Sequence, residues 1–114
     1  MSVPLQEPTF LILAALAGEP THGYGVIQEV SALSEGRVVL RPGTLYGALE
    51  RLVTEGLVVA DREEIVEGRL RRYYRLTDDG ATVLDAETKR LTSNAAAATE
   101  RLRRHNRRGR LAQS

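Results

Sequence analysis

The first part of the chain contains two stretches in which apolar residues recur with helical spacing. Residues 8–17 are apolar on almost every side and begin with Pro8, which suits a first helical turn, so we expect a helix buried on more than one side. Gly18 ends that helix. Thr21 is the expected N-cap of a second helix, residues 22–33. Its predicted inward face consists of Ile27, Val30 and Leu33.

A short extended segment, residues 38–40, leads to a third predicted helix, which begins at Pro42 and ends near residue 55, before Gly56. Leucines recur at i, i+4 and i+7 along this helix, which predicts one buried face and leaves small and polar residues on the other. The buried leucines are Leu45, Leu49 and Leu52, and the outward residues are Gly43, Thr44, Gly47, Glu50 and Arg51.

Two strands and a long helix complete the predicted elements. Residues 57–66 and 70–76, joined by a turn that contains glycine, predict a β-hairpin. Thr77 caps the next helix, whose acidic first turn matches the helix dipole. That helix runs to residue 108, with Gly80 as a weak point. A thin heptad seam along it predicts pairing with another helix. The seam consists of Leu84, Thr88, Leu91, Ala95, Ala98 and Leu102.

This order of elements is that of a winged helix-turn-helix, in which the third helix enters the DNA major groove and the hairpin lies along the backbone. The expected fold class is mainly α with a small β-hairpin: a winged helix-turn-helix followed by a long C-terminal dimerisation helix. We therefore divide the chain into a DNA-binding domain (1–76), a dimerisation helix (77–108) and a disordered tail (109–114).

Composition excludes several classes of function. The 114 residues include no cysteine, which rules out disulfides, thiolate zinc sites and cysteine nucleophiles. The only histidines are His22 and His105, and no serine has the setting of a nucleophile, so we expect no enzyme, no metal and no cofactor. The longest nearly apolar run, residues 10–17, is too short to span a bilayer, which predicts a cytoplasmic bacterial protein without a membrane partner.

The net charge of +1 conceals an asymmetry, because six arginines and no acidic residue lie between Arg101 and Arg110. Without those six the net charge of +1 would become −5. Two interpretations of this basic end stay open: a solvated helix end whose cations suit the dipole, or a basic arm that adds non-specific DNA affinity. DNA binding must therefore be argued from local patches.

Two local patches predict contact with DNA. Thr44 and Tyr46 offer hydroxyls at the start of the third helix, where glycines let the backbone approach a duplex, although Tyr46 also suits a place partly in the core. The arginines near the hairpin tip suit phosphates or the minor groove. Acidic residues on the facing strand favour the alternative of ion pairs across the hairpin, above all for Arg75. The arginines are Arg69, Arg71, Arg72 and Arg75, and the acids are Asp61, Glu63, Glu64 and Glu67.

Three motifs, in this order, resemble the PadR family of transcriptional regulators, and the resemblance covers residues 7–90. HGY stands at residues 22–24, G-T-L-Y with its later leucines and a final G-L at residues 43–57, and Y-x-L-T-x-x-G at residues 74–80. The resemblance implies that the third helix is the recognition helix and that Tyr24 reaches a phosphate. It also implies a dimer formed through the first and last helices, as in members with a single C-terminal helix.

Pattern and resemblance together predict a homodimeric regulator, a repressor on a pseudo-palindromic operator of double-stranded DNA. A small-molecule effector stays open, since the chain has no tryptophan and one phenylalanine with which to stack a flat aromatic ligand. The alternative is a protein-interaction module that never touches DNA, which the acidic balance of residues 1–100 favours. The predicted DNA contacts are Tyr24, Arg41, Gly43, Thr44, Tyr46, Gly47, Arg69, Arg71 and Arg72. The predicted dimer contacts are Phe10, Leu11, Leu13, Ala14, Leu84, Leu91, Ala95, Ala98 and Leu102.

Overall fold

Helices and strands follow the predicted order, with a change in the position of the short strand. The computed structural model describes residues 4–113. Its elements are α1 Glu7–Gly18, β1 Thr21–His22, α2 Gly23–Leu33, α3 Pro42–Thr54, β2 Val58–Val66, β3 Arg69–Leu76 and α4 Asp78–Gln113. The expected fold class, mainly helical with a hairpin and a long last helix, is confirmed.

The core lies between α1, α2, α3 and the base of the hairpin. α1 is buried on several sides, as its composition predicts, and α3 buries the three predicted leucines. The inward face of α2 was predicted in part: Val30 is fully buried and Ile27 packs against the core, as expected. Leu33, in contrast, is 48% exposed, and the fully buried Val26 was not predicted. Leu33 lies in the last turn, where the following loop begins with buried Ser34, whose hydroxyl donates to the Val30 carbonyl at 2.9 Å.

The three strands form one antiparallel sheet in the order β1-β3-β2. Residues 38–40 do not form a strand, contrary to the prediction. The strand that joins the hairpin in this sheet is instead β1, in which Thr21 pairs with Tyr74 and His22 with Tyr73. The hairpin turn consists of Glu67 and Gly68, whose φ angles of 51° and 76° give a two-residue turn of the kind that matches strand twist.

A junction of hydrogen bonds joins α3, the hairpin and α4. The Thr77 hydroxyl donates to the Gly56 carbonyl at 2.7 Å and accepts the Gly80 N–H at 3.0 Å, so the predicted cap of α4 is confirmed. The Thr77 N–H donates to the Leu57 carbonyl at 3.1 Å. A Cβ on Gly80 would collide with that same carbonyl oxygen. Gly80, which the sequence marks only as a weak point, is therefore what allows this close approach.

α4 is longer than predicted and extends away from the body of the protein. It passes through Gly109 and ends at Gln113, so the predicted end at residue 108 is too early; Ser114 lies outside the described residues. The Cα atoms span 70 × 31 × 21 Å. The start of α4 is anchored by Glu87, a buried carboxylate that accepts hydrogen bonds from Arg90 at 2.6 Å and from the Leu5 N–H at 2.7 Å. These bonds, those of Arg90 first, lower the pKa of Glu87 to about 2.

Candidate nucleic-acid interface

The N-terminal half of α3 presents a flat, exposed face. Pro42 occupies the first turn, and Arg41 is an exposed N-cap residue that makes no capping bond with its side chain. Gly43, Thr44 and Gly47 are exposed, and a Cβ built on either glycine would meet nothing within 4 Å. Because no side chain stands beside these glycines, a duplex can approach the helix backbone closely.

Tyr46 links this face to the start of α2. Its side chain is 47% exposed, and a Cβ built on Gly23 would lie 2.5 Å from the Tyr46 hydroxyl and 2.8 Å from its Cζ. The ring therefore packs directly against the Gly23 backbone, and any larger residue at position 23 would require the Tyr46 side chain to move. Tyr24, the next residue of α2, is 64% exposed. Both predicted tyrosines thus have accessible surface, and Tyr46 is not part of the hydrophobic core, which is against the alternative that placed it partly there.

His22 caps α2, although the sequence pattern favoured Thr21. The Gly25 N–H donates to His22 Nδ1 at 3.2 Å, whereas the Thr21 hydroxyl donates back to the Glu19 carbonyl at 2.9 Å. The His22 ring also packs edge-on against Tyr73 of the hairpin, with centroids 5.3 Å apart. Partial burial lowers the pKa of His22, and the nearby positive charge of Arg71 lowers that pKa further. His22 is therefore held in the neutral form that can accept the capping hydrogen bond.

The hairpin arginines divide into paired and unpaired groups. Arg72 pairs with Glu63 at 3.1 Å across the hairpin, and Arg75 lies 3.4 Å from Asp61. The hydrogen bonds of Arg72, first with the Tyr74 hydroxyl and then with Glu63, raise the pKa of Arg72 above its usual value. Neither Arg69 nor Arg71 takes part in an ion pair within the described residues, and both are exposed. Of these four hairpin arginines, Arg69 and Arg71 are therefore the most available to an outside anion.

Arg62 is a member of this surface that the sequence pattern did not identify. Its guanidinium lies 4.1 Å from the centroid of the Tyr73 ring and pairs with Glu64 at 2.9 Å and with Asp61 at 3.1 Å. A register irregularity between Ala60 and Arg62 sets this arrangement. A regular alternation read from the sequence does not contain that irregularity, which is why the contact could not be foreseen.

The predicted dimer contacts do not share one surface. Leu13 is fully buried in the protomer's own core and Leu11 is only 9% exposed, so the two leucines offer little surface to a second copy. Phe10, Ala14 and Leu84 are partly buried. The remainder lie on the exposed length of α4, where Leu91 is 40% and Leu102 59% exposed. The exposed residues of this set are Leu91, Ala95, Ala98 and Leu102.

Two further findings concern residues 4–113 only. No helix in that range combines the length and the apolar character that a membrane span requires. No cluster of three or more histidine and acidic side chains there has the arrangement of a metal site.

An exposed helix preceded by a shorter helix and flanked by a hairpin with basic residues defines this protein as a winged helix-turn-helix protein. The sequence pattern of the Transcriptional regulator PadR-like family matches residues 12–86. The chain belongs to that family. It is 39% identical over 80 residues to the transcriptional regulator Rv3488 of Mycobacterium tuberculosis, an alignment that covers 70% of this chain and 71% of the relative.

Solved structures of the family have the same fold. A PadR family transcription regulator of Clostridium difficile superposes with a TM-score of 0.71 at 22% identity, and the match covers 85% of this chain and 99% of that one. Bacillus subtilis PadR, solved in complex with operator DNA, superposes with a TM-score of 0.62 at 22% identity, covering 71% of this chain and 46% of that one. The family and these neighbours are transcription regulators and not enzymes.

Proposed function

We propose that the chain represses transcription by binding double-stranded DNA as a homodimer, with α3 in the major groove and the unpaired hairpin arginines on the phosphate backbone. The observation that carries this proposal is the exposed and unobstructed face of α3 at Gly43, Thr44 and Gly47. Arg69 and Arg71 supply positive charge on the adjacent hairpin. The complex of Bacillus subtilis PadR with operator DNA supports this geometry by similarity of fold.

In this proposal the two parts of the chain have separate tasks. Residues 1–76 bind DNA, and α4 joins two copies through its exposed seam, with Phe10 and Ala14 of α1 beside its buried start. A twofold axis then sets two copies of α3 against half-sites about one helical turn apart, that is, roughly 34 Å. Because the proposed target of this protein is operator DNA, we place the protein in the bacterial cytoplasm.

The DNA contact is tested by replacing one hydroxyl. Thr44→Ala should weaken operator binding by the dimer about a hundredfold, because each of the two protomers loses one hydrogen bond of roughly 1.4 kcal/mol. Thr54→Ala, near the other end of the same helix, is the matched control, since the Thr54 hydroxyl donates to the Glu50 carbonyl within the helix. Fluorescence anisotropy with a duplex from the adjoining promoter measures both variants. A wild-type protein without salt-dependent affinity for any duplex would identify the protein-interaction module instead.

The dimer is tested by placing a charged residue on either of two opposite faces of α4. Leu91→Glu places a charge on the seam and should shift the protein to monomers, because an unpaired carboxylate is costly to bury in an interface. Ser93→Glu places the same charge on the exposed far side of the helix and should leave the dimer intact. Light scattering coupled to gel filtration reports the mass. A protein that is monomeric before substitution refutes the homodimer.

A small-molecule effector has one role in this proposal, which is to release the protein from its operator. A ligand that favours a dimer geometry unable to fit both half-sites would lower DNA affinity. Titration with phenolic compounds, drugs and metabolites, followed by operator binding, decides this. If every compound leaves the affinity unchanged, regulation by ligand is abandoned while the DNA contact stands.

A further inference from the structure

The last part of α4 carries a strongly charged face that neither the winged helix nor the dimer seam uses. Residues 101–110 include six arginines, and no acidic residue follows Glu100 in the sequence. The helix is continuous through this region to Gln113, and all six arginines are exposed. They are Arg101, Arg103, Arg104, Arg107, Arg108 and Arg110.

These arginines occupy one side of the helix. At about 100° per residue, the six side chains project over about half of the helix circumference. The opposite half has Leu102 at its centre, in line with Leu91, Ala95 and Ala98 of the seam. Pairing of two helices through the seam therefore covers Leu102 and leaves the arginines facing outward.

Little within the protein neutralises this face. Glu100 pairs with Arg104 at 3.3 Å, and the other five arginines enter no ion pair within the described residues. Several of the arginines are three or four residues apart, as Arg103 and Arg107 are, so their like charges repel one another along the helix. The negative end of the helix dipole offsets only part of that repulsion. An extended anion would offset the rest.

We infer that this arginine face binds the phosphate backbone of duplex DNA without regard to sequence, as a second contact that rests on the DNA binding proposed above. A row of cations about 14 Å long matches the regular line of charges on a duplex, since an α-helix rises about 1.5 Å per residue. Arg101 and Arg110 lie roughly 35 and 48 Å along the helix from Asp78. The arginine face therefore lies well away from the start of α4.

The test compares two double variants of equal charge change in the full chain. R103Q/R107Q removes two unpaired arginines of this face, and glutamine has a similar helix propensity to arginine. R37Q/K89Q removes two exposed cations that lie outside α3 and the hairpin, and their side chains pair with Glu7 and Asp85. The probe is a labelled 40-base-pair duplex of unrelated sequence, with binding measured by anisotropy from low to moderate KCl concentration.

We expect R103Q/R107Q to reduce the slope of log K against log salt by about 3.6, which is about 0.9 for each of the four phosphates that the dimer of this variant no longer neutralises. R37Q/K89Q should keep the wild-type slope, and neither the dimer mass nor the melting temperature of R103Q/R107Q should fall. An unchanged slope for R103Q/R107Q overturns the inference. The inference is also overturned if that variant binds DNA normally but loses binding to poly-glutamate, or to vesicles containing 30% anionic lipid.

The outcomes separate this inference from the proposed function. If Thr44→Ala weakens operator binding while R103Q/R107Q behaves as wild type, the proposed function stands and the second contact falls. If R103Q/R107Q loses DNA affinity while Thr44→Ala has no effect, the arginine face binds DNA and the role of α3 is refuted. A wild-type protein that ignores every duplex refutes both.

Discussion

Replacing Gly80 with alanine gives opposite expectations from helix propensity and from the structure. Alanine is the better helix former by about 1 kcal/mol, so propensity alone predicts a more stable protein. In the structure a Cβ at Gly80 would collide with the Leu57 carbonyl oxygen and lie 2.7 Å from Leu76 Cδ1. The Leu57 carbonyl cannot easily retreat, because it accepts the Thr77 N–H at 3.1 Å and Thr77 also holds the neighbouring Gly56 carbonyl.

Overpacking costs about 1–3 kcal/mol where side chains can adjust, and a clash with backbone falls at the upper end of that range. After the gain from propensity, we expect Gly80→Ala to lower the free energy of unfolding by about 2 kcal/mol. At about 4–8 °C per kcal/mol, the melting temperature should fall by roughly 8–16 °C. Gly109→Ala is the matched control in the same helix, since a Cβ there would meet nothing within 4 Å, and it should stabilise the protein slightly.

Thermal unfolding by circular dichroism measures both variants, at one protomer concentration because the stability of a dimer depends on concentration. If Gly80→Ala melts at or above the wild-type temperature, the close approach of α4 to the end of α3 has no energetic importance and the reasoning fails.

Three further predictions concern charge. Glu87 has its pKa lowered from 4.5 to about 2, so its stabilising effect is complete above pH 4.5 and is lost as the pH falls toward 2; acid unfolding of Glu87→Gln should lack that component. His22→Ala should cost about 1 kcal/mol through loss of the α2 cap, and His22→Asn should restore most of it; because the folded pKa of His22 is lowered, wild-type stability should also fall as the pH drops below 6.5, a loss absent from His22→Asn. Arg71→Gln should make the salt dependence of operator binding shallower by about 1.8, about 0.9 for each protomer of the dimer, whereas Arg75→Gln, already paired with Asp61, should change it less; equal effects would refute the division of the hairpin arginines.

Much of the fold could be predicted because its signals are local. The leucine spacing of α3, the cap at Thr77 and the glycine turn of the hairpin each depend on a few consecutive residues. The strand β1 could not be predicted this way, since two residues are too few to show alternation and its pairing partner, Tyr73 to Tyr74, lies some fifty positions along the chain.

The candidate site was predicted in composition but not in geometry. The exposed face of α3 follows directly from helical periodicity, so Thr44 and the two glycines lie where expected. Whether each hairpin arginine forms an ion pair depends instead on which acidic residue lies opposite it on β2. The irregularity between Ala60 and Arg62 changes the register in which β2 pairs with β3. Burial of Leu13 likewise depends on how α1 sits in the core, which an almost uniformly apolar sequence does not specify.

The bonds at Thr77 have a mechanical consequence. The Thr77 side chain is bound both to Gly56, which follows α3, and to the first turn of α4, with Gly80 packed against the Leu57 carbonyl. α3 and α4 are therefore joined through Thr77, so that in the proposed dimer a rotation of one α4 about the other would move its α3 as well. In that dimer, a ligand bound between the two α4 helices would need only to change the angle between them in order to move both α3 helices.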